Sequence, residues 1–259
     1  MNLIEKYDGF IFDLDGTLYL EDKIIPGAAK VINTIKSLSK QTVFISNKTT
    51  GSVDDYFNLL HSNGFDINKK EILTATLIAK KILKTKFPKK KFYAIAEKKF
   101  ILEIESAGLE FSENPHEIDL IIVSLDRTLN YKKLEIAGKA LDCGAKFFAA
   151  NIDNTCPVED GEILDAGSTI SALEKRTNRK LQKNFGKPSK YMFDEIMKLI
   201  KIPAKKCLII GDRLETDIAM GNKFNVDTAL VSTGITKDVA HLSKFEPTYK
   251  IGSVKNLIK

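Results

Sequence analysis

The chain has 259 residues, of which 43% are hydrophobic and 29% are charged, and its formal net charge is +6. Apolar residues are too plentiful, and the net charge too small, for a mainly disordered chain. No apolar run reaches the roughly 18 residues that a membrane span requires, and the N-terminus lacks a secretory signal, so we expect a cytoplasmic protein with no membrane partner.

The basic balance comes almost entirely from lysines dispersed along the chain. An excess of basic residues can indicate a nucleic-acid partner. However, the chain has no tryptophan, and it has no basic stretch interleaved with the aromatic residues that stack bases. We therefore predict no nucleic-acid partner and expect a solvated, lysine-rich surface that attracts anionic substrates.

The predicted strands are short, nearly continuous apolar runs, which are typical of parallel strands covered on both faces. In chain order they lie at residues 9–12, 42–45, 92–95, 120–123, 146–149, 207–210 and 228–231. Apolar residues at helical spacing over 28–38 and 191–200 predict helices, and another helix is expected to begin at about Val53. This alternation predicts an α/β fold with a doubly wound parallel sheet.

The segments that suggest chemistry lie towards the two ends of the chain, whereas the middle has strand and helix patterns of its own. If both ends contribute to one site, the middle is an insertion. We therefore predict a core formed by residues 1–79 and 183–259, with a second α/β domain formed by residues 80–182.

Two aspartates follow the first predicted strand, in the sequence Asp13-Leu14-Asp15-Gly16-Thr17. The carboxyl end of a buried parallel strand is where open sheets place their ligands. The structural alternative is an ordinary Asp-Gly turn.

A second acidic segment follows the predicted strand at 207–210, where Asp212 comes directly after Gly211 and Asp217 follows five residues later. Helix capping is the alternative role for these aspartates. Two acidic clusters at strand ends, from opposite ends of the chain, favour a shared Mg²⁺ site, because Mg²⁺ prefers a few carboxylates together with water and phosphate oxygens.

Two further segments have the residues needed to bind phosphate. Ser46 and Asn47 lie at a strand-to-helix turn, where a hydroxyl and backbone amides can hold phosphate oxygens. The alternative there is a Ser/Thr helix cap. Lys187 lies between Gly186 and Pro188, just before a predicted helix. A lone lysine is usually a solvated surface charge, but its neighbouring motifs favour a role in the site.

Taken together and in this order, the four segments resemble the motifs of the haloacid dehalogenase (HAD) superfamily of phosphohydrolases. The chain is similar to the NagD/4-nitrophenylphosphatase branch, which has a large α/β cap of the C2 type inserted between its second and third motifs. The resemblance covers nearly the full chain and is weakest across residues 80–145. It implies a HAD-like, Rossmann-like core with residues 80–182 as the cap. Further matching segments are Ile25-Pro26-Gly27-Ala28 and Thr233-Gly234.

The resemblance implies a role for each acidic residue. Asp13 would be the nucleophile that forms an aspartyl-phosphate, and Asp15 would protonate the leaving alcohol and later deprotonate water. Asp13, the backbone carbonyl of Asp15, and Asp212 would bind Mg²⁺. Asp217 would support the metal-binding loop from behind these ligands.

The resemblance also implies that Ser46, the Asn47 amide and Lys187 hold the phosphoryl group that is transferred. Lys187 would neutralise charge shared between the phosphate and Asp13.

Three residues of the predicted cap are candidates for contacting the leaving group. Asn151 and Asp153 lie in a segment that resembles the Asn-Pro-Asp specificity loop of the branch, with Ile152 in place of the proline. Asp165 takes the place of the first glycine in a Gly-Ala-Gly-Ser-type helix start. The alternative is that all three are turn and N-cap residues of the cap.

These observations predict a Mg²⁺-dependent phosphatase that acts through an aspartyl-phosphate on a small soluble phosphomonoester. The candidate substrates are a sugar phosphate, a nucleoside monophosphate, phosphoglycolate and pyridoxal phosphate. The presence of Asp15 favours phosphoryl chemistry over carbon–halogen cleavage. The alternative is a catalytically weak binding or regulatory protein on the same scaffold. Homodimers formed through the cap are common in this branch, so a homodimer is expected by analogy.

Lys48 stands where asparagine is common in the branch. A second lysine near the phosphate loop would favour substrates with additional negative charge, and the alternative is that Lys48 points to solvent. If Lys48 faces the substrate, Lys48→Asn should lower kcat/KM for bisphosphate substrates by about twofold to fivefold relative to monophosphates, the effect of one ion pair screened by solvent. Steady-state kinetics on matched pairs of substrates test this. An unchanged substrate profile would contradict it.

Overall fold

The computed structural model of the protein describes residues 2–20, 22–158, 161–235 and 244–258. Its first elements are α1 (Leu3–Lys6), β1 (Gly9–Asp13), β2 (Tyr19–Leu20), β3 (Lys23–Ile24), α2 (Ala28–Ser37), β4 (Gln41–Ser46), α3 (Val53–Ser62), β5 (Ile72–Thr74) and α4 (Ala75–Lys86). The middle elements are β6 (Lys91–Ile95), α5 (Lys98–Glu105), β7 (Glu110–Phe111), β8 (Leu120–Val123), α6 (Tyr131–Asp142), β9 (Lys146–Ala149), β10 (Thr155–Val158), β11 (Gly161–Leu164), α7 (Ala166–Thr177) and β12 (Lys183–Asn184). The last elements are α8 (Lys190–Ile200), β13 (Cys207–Gly211), a π-helical turn (Leu214–Ile218), α9 (Ala219–Phe224), β14 (Asp227–Val231) and β15 (Tyr249–Ile251).

The chain divides into two compact units. The first unit consists of Met1–Ser46, Val53–Leu73 and Pro188–Lys259, and the second consists of Asn47–Ser52 and Thr74–Lys187. The sequence-based boundaries at residues 80 and 182 differ from these by several residues. No change in composition marks the places where the chain passes from one unit to the other. The assignment of a catalytic core and a specificity cap to these segments stays a prediction.

The first unit is built on a six-stranded sheet in the order β15-β14-β13-β1-β4-β5. Strand β1 runs parallel to both β13 and β4, and β14 runs parallel to β13 and β15. The central strands are buried along their whole length, which accounts for their continuous apolar sequences. The carboxyl ends of β1 and β13 therefore lie side by side at one edge of the sheet.

Both faces of the first sheet are covered, as a doubly wound fold requires. On one face, Phe10 and Phe12 of β1 pack in a buried cluster with Val31 and Ile35 of α2. On the other, α8 contacts β4. A side chain added at Gly9 would come within 2.8 Å of Ile200, the last residue of α8. Because successive strand residues point to opposite faces, β1 anchors helices on both sides.

The second unit has its own parallel sheet of five strands, in the order β12-β9-β8-β6-β7. All four pairings are parallel. Separately, β10 and β11 pair with each other in antiparallel orientation. The carboxyl ends of β8, β9 and β12 lie at the same edge of this sheet, so the residues that follow these strands are brought near one another.

Alternating residues of the second sheet pack against different helices. Tyr93, Ile121 and Phe147 share a buried cluster with residues of α6 and α7. Phe148 points to the other face, where its ring meets Phe87 edge-on, with ring centroids 5.3 Å apart. This unit is therefore also covered on both faces.

The sequence-based predictions of fold class and strand position are confirmed. Each of the seven predicted strands overlaps an observed strand, and the predicted helices correspond to α2, α3 and α8. Pattern analysis missed eight other strands among the described residues, β2, β3, β5, β7, β10, β11, β12 and β15. Each has two to four residues and none is a continuous apolar run of four, so neither periodicity nor apolar length marks it. Within the described residues, no helix combines the length and apolar character needed to cross a membrane.

The Glu71 carboxylate joins three separate parts of the first unit. It accepts hydrogen bonds from the Lys36 ammonium of α2 at 2.6 and 2.7 Å, from the Thr42 hydroxyl of β4 at 2.9 Å and from the Asn68 backbone N–H at 2.6 Å. Glu71 thereby fixes the chain between α3 and β5 against both a helix and the sheet.

We expect Glu71→Ala to lower the free energy of unfolding by about 1–3 kcal/mol, because three donors lose a partly buried acceptor. As a control, Asp194→Ala removes an exposed ion pair to Lys190 and should cost less than about 0.5 kcal/mol. Urea unfolding measures both values. Equal effects of the two substitutions would contradict the linking role of Glu71.

Candidate active site

The ends of β1 and β13 bring the predicted acidic residues of the first unit together. Asp13 is the last residue of β1, and Asp212 directly follows β13. Phe12 lies opposite Ile210 in the parallel register of these two strands. The side chains that leave the two strands therefore start from neighbouring positions.

Three carboxylates converge at this edge. Oxygen atoms of Asp13, Asp212 and Asp217 all lie within 4.8 Å of one another, and all three residues are buried. Asp217 comes from the π-helical turn after β13, and its carboxylate lies against the end of that strand, where a Cβ at Gly211 would overlap it. The sequence predicted only a supporting role for Asp217, whereas the structure brings its carboxylate as close as the other two.

Each of these carboxylates accepts a hydrogen bond from the surrounding chain. The Thr17 hydroxyl donates to Asp13 Oδ2 at 3.4 Å, and the backbone N–H of Ile235 donates to Asp212 Oδ2 at 2.7 Å. Asp217 Oδ2 accepts from the Arg213 backbone N–H at 3.2 Å. These donors hold the carboxylates in place and offset part of their mutual repulsion.

Two glycines leave the space that the Asp212 carboxylate occupies. Gly16 has a φ of +82°, and a Cβ there would lie 2.6 Å from Asp212 Oδ2. A Cβ at Gly234 would overlap the same carboxylate. The Thr233 hydroxyl donates to the Gly16 carbonyl at 2.6 Å and ties these two segments together. The Thr233-Gly234 pair supported the family resemblance, but its contact with Asp212 could not be predicted from sequence.

Asp15 and Ser46 also lie in the first unit. Asp15 is partly buried and makes an isolated backbone bridge to Tyr19. Burial, reinforced by the nearby Asp15 and Asp13 carboxylates, raises the pKa of the Tyr19 hydroxyl, which therefore stays neutral beside them. Ser46 is the last residue of β4 and is 2% exposed.

The remaining predicted residues belong to the second unit, where they form a buried hydrogen-bonded network. Asn47 bonds to both the Asp153 carboxylate and the Lys187 backbone. Asn151 donates to Asp153 Oδ2 and to Asp165 Oδ1, each at 3.0 Å. Asp165 is also the N-cap of α7, as the structural alternative in the sequence analysis proposed. Their contact with a leaving group stays a prediction.

Sequence reasoning missed Asn184, which shapes the segment before Lys187. Its side-chain amide donates to the carbonyl oxygens of Gly186 and Lys187 at 3.2 and 3.1 Å, and its Oδ1 accepts from the Gly186 N–H at 3.1 Å. An asparagine two residues before a glycine at the end of a strand is a typical turn signal, so this feature was detectable.

The donor set of the first unit fits a hard divalent cation. Mg²⁺ is bound in proteins through a small number of carboxylates, with water and phosphate oxygens completing its coordination. Asp13, Asp212 and Asp217 supply three buried carboxylates with oxygen atoms that lie within 4.8 Å of one another. The arrangement is therefore suited to phosphate chemistry assisted by Mg²⁺.

Comparison with known proteins agrees with the geometry. A family model described as haloacid dehalogenase-like hydrolase matches residues 10–110, and a second, HAD-hydrolase-like model matches residues 184–257. Sugar-phosphatase AraL of Bacillus subtilis is 32% identical over 251 residues, which cover 97% of this chain and 92% of AraL.

Solved structures show the same relationship. The 4-nitrophenylphosphatase of Thermotoga maritima superposes with a TM-score of 0.89 at 28% identity and covers 100% of this chain and 98% of its own. The glycerol phosphate phosphatase of Mycobacterium tuberculosis, solved in complex with magnesium, gives a TM-score of 0.86 at 25% identity, covering 100% of this chain and 78% of its own.

The chain belongs to the haloacid dehalogenase-like hydrolases. Its relatives are phosphatases of the NagD/4-nitrophenylphosphatase type, so the predicted family, fold and class of enzyme, a hydrolase of phosphomonoesters, are confirmed. The roles of the individual residues stay predictions.

We expect Gly234→Ala to weaken Mg²⁺ binding by roughly tenfold or more, because the added methyl group displaces the Asp212 carboxylate. Gly252→Ala is the matched control, since the nearest atom to a Cβ there is 3.5 Å away. Calorimetric titration with Mg²⁺ measures both. Unchanged affinity in a folded Gly234→Ala protein would show that Asp212 is not part of the metal site.

Proposed function

We propose that this chain hydrolyses a small phosphomonoester in a Mg²⁺-dependent reaction, with Asp13 as the nucleophile. The observation that carries this proposal is the position of Asp13 at the end of β1, with its carboxylate within 4.8 Å of those of Asp212 and Asp217. A carboxylate repels a phosphate dianion, and a cation bound at its side removes that obstacle.

The reaction proceeds in two steps. In the first, an Asp13 oxygen forms a bond to phosphorus while the phosphorus–ester oxygen bond breaks, and the leaving oxygen takes a proton from Asp15. In the second, water attacks phosphorus and gives a proton to Asp15, and the bond from phosphorus to Asp13 breaks to release phosphate. Both aspartates then return to their initial states.

Asp13, Asp212 and the Asp15 backbone carbonyl would hold Mg²⁺, and Asp217 is close enough to join or support them. When bound, Mg²⁺ would supply positive charge that offsets the phosphate charge. The magnesium complex of the mycobacterial glycerol phosphate phosphatase supports this choice of metal.

Ser46, the Asn47 backbone N–H and the Lys187 ammonium would hold the phosphoryl oxygens. The Asn47 side chain is engaged with Asp153 and Lys187, which favours its backbone as the phosphate donor. Lys187 is 3% exposed, and a buried ammonium is an effective partner for a phosphate because bulk water does not screen it.

A sugar phosphate is the leading substrate class. The sugar-phosphatase activity for which AraL is named supports it, and the buried amide of Asn151 and carboxylate of Asp165 are the kind of groups that recognise hydroxyls. Nucleoside monophosphates, phosphoglycolate and pyridoxal phosphate are the comparison substrates. A cytoplasmic location, a homodimer formed through the cap and the absence of a nucleic-acid partner stay predictions.

We expect Asp13→Asn to lower kcat by roughly 10³-fold or more, because the amide is a far weaker nucleophile than the carboxylate. Phosphate release from 4-nitrophenyl phosphate and from the four substrate classes measures this. EDTA should abolish release by the unsubstituted chain, and added Mg²⁺ should restore it.

Asp8→Asn is the matched control, because Asp8 precedes the opposite end of β1 and pairs with Lys206 at 3.2 Å. It should leave kcat within about twofold. Full activity of Asp13→Asn would overturn the mechanism. If the folded, Mg²⁺-loaded chain binds phosphate but releases none from any substrate, the binding or regulatory alternative takes its place.

A further inference from the structure

Two hydrogen bonds join the side chain of Asn47 to the main chain of Lys187 within the second unit. Asn47 Oδ1 accepts a hydrogen bond from the Lys187 backbone N–H at 2.7 Å, and Asn47 Nδ2 donates to the Lys187 carbonyl at 3.3 Å. The two residues are 140 positions apart in the chain. The side-chain amide of Asn47 therefore pairs with the main chain of Lys187 as one strand pairs with another, and it fixes the position of the Lys187 backbone.

Asp153 fixes the orientation of this amide. Its Oδ2 accepts from Asn47 Nδ2 at 2.9 Å, so both N–H groups of Asn47 have an acceptor, one on Asp153 and one on Lys187. Only one orientation of the amide satisfies all of these hydrogen bonds, and in that orientation Oδ1 faces the Lys187 N–H. A carboxylate oxygen is a stronger hydrogen-bond acceptor for an amide N–H than a neutral carbonyl oxygen is.

Burial makes the contact between Asp153 and Asn47 hard to replace. Asn47 is 8% exposed, Asp153 is 9% exposed and Asn151, the second donor to Asp153 Oδ2, is 2% exposed. Without the Asp153 carboxylate, two buried amide groups lose an acceptor at once. An unpaired buried donor is unfavourable, so the Asn47 amide would turn or shift to find another partner.

Gly186 adds independent evidence that this packing is close. A Cβ at Gly186 would lie 2.7 Å from the Ala150 carbonyl and would overlap Asn47 Oδ1. The Gly186 N–H donates to the same Ala150 carbonyl at 2.7 Å. The residue before Lys187 is therefore held between the Asn47 amide and the end of β9, the strand that leads to Asp153.

We propose that Asp153 is a positioning residue for Lys187 and acts through the Asn47 side chain. This proposal rests on the proposed function, in which the Lys187 ammonium holds the phosphoryl group. It gives Asp153 a role different from the leaving-group contact expected from sequence: the Asp153 carboxylate sets where Lys187 stands and need not touch the substrate.

A double-mutant cycle between Asp153 and Lys187 tests the proposal. Asp153→Ala should lower kcat/KM by roughly 10- to 100-fold and weaken binding of inorganic phosphate in the presence of Mg²⁺. In a Lys187→Ala background, the same substitution should change either quantity by less than about threefold, because its effect is already lost. Asp153→Asn retains an oxygen acceptor and should recover part of the loss.

Asp126→Ala is the matched control. Asp126 follows β8 in the same unit, its side chain is 1% exposed, and its carboxylate accepts hydrogen bonds from Lys133 and Thr128. It should lower the Tm but leave phosphate affinity within about twofold, which separates positioning of Lys187 from general loss of stability.

Two results would overturn the role of Asp153. One is an equal loss of kcat/KM on Asp153→Ala in both backgrounds, and the other is an effect that varies with the leaving group while phosphate affinity is unchanged. Failure of the proposed function gives a different pattern, in which Lys187→Ala by itself changes neither kcat/KM nor phosphate affinity. If Lys187→Ala lowers both kcat/KM and phosphate affinity while Asp153→Ala changes neither, only the proposal about Asp153 fails.

Discussion

The repulsion among three buried carboxylates is the physical constraint that shapes the acidic edge of the first unit. Asp13, Asp212 and Asp217 approach within 4.8 Å of one another, where two like charges repel by roughly 3–4 kcal/mol at an effective dielectric constant near 20. Hydrogen bonds from Thr17 and from two backbone N–H groups offset part of this. Such a cluster is retained where a cation or a reaction needs concentrated negative charge.

That constraint explains the local sequence better than turn propensity does. Gly16 and Gly234 leave room for the Asp212 carboxylate, and the π-helical turn at Leu214–Ile218 carries Asp217 back towards β13. An ordinary α-helix beginning after Asp212 would rotate Asp217 to a different direction. The positions of the π-helical turn, of the two glycines and of the carboxylates therefore depend on one another.

The second unit uses buried polar groups differently. Its carboxylates at Asp153 and Asp165 are satisfied by the amide of Asn151, and Asp153 also accepts from Asn47. The amide side chains of Asn47 and Asn151 connect these carboxylates to one another and to the Lys187 main chain. This network is therefore suited to holding parts in position, whereas the cluster of the first unit is suited to binding a cation.

Sequence by itself determined the seven main strands and the parallel α/β class, because strands buried on both faces require continuous apolar runs. It also determined which residues follow the carboxyl ends of these strands, where parallel sheets place their ligands. It also identified Asp13, Asp15, Asp212 and Lys187 as candidates. Only the tertiary structure decided that Asp217 joins Asp13 and Asp212 and that Asn47 meets Asp153, 106 residues away. It also decided the two-residue strands and the grouping of Asn47–Ser52 with the second unit. These features depend on contacts between distant segments, and local periodicity contains no information about which distant partner a buried polar group meets.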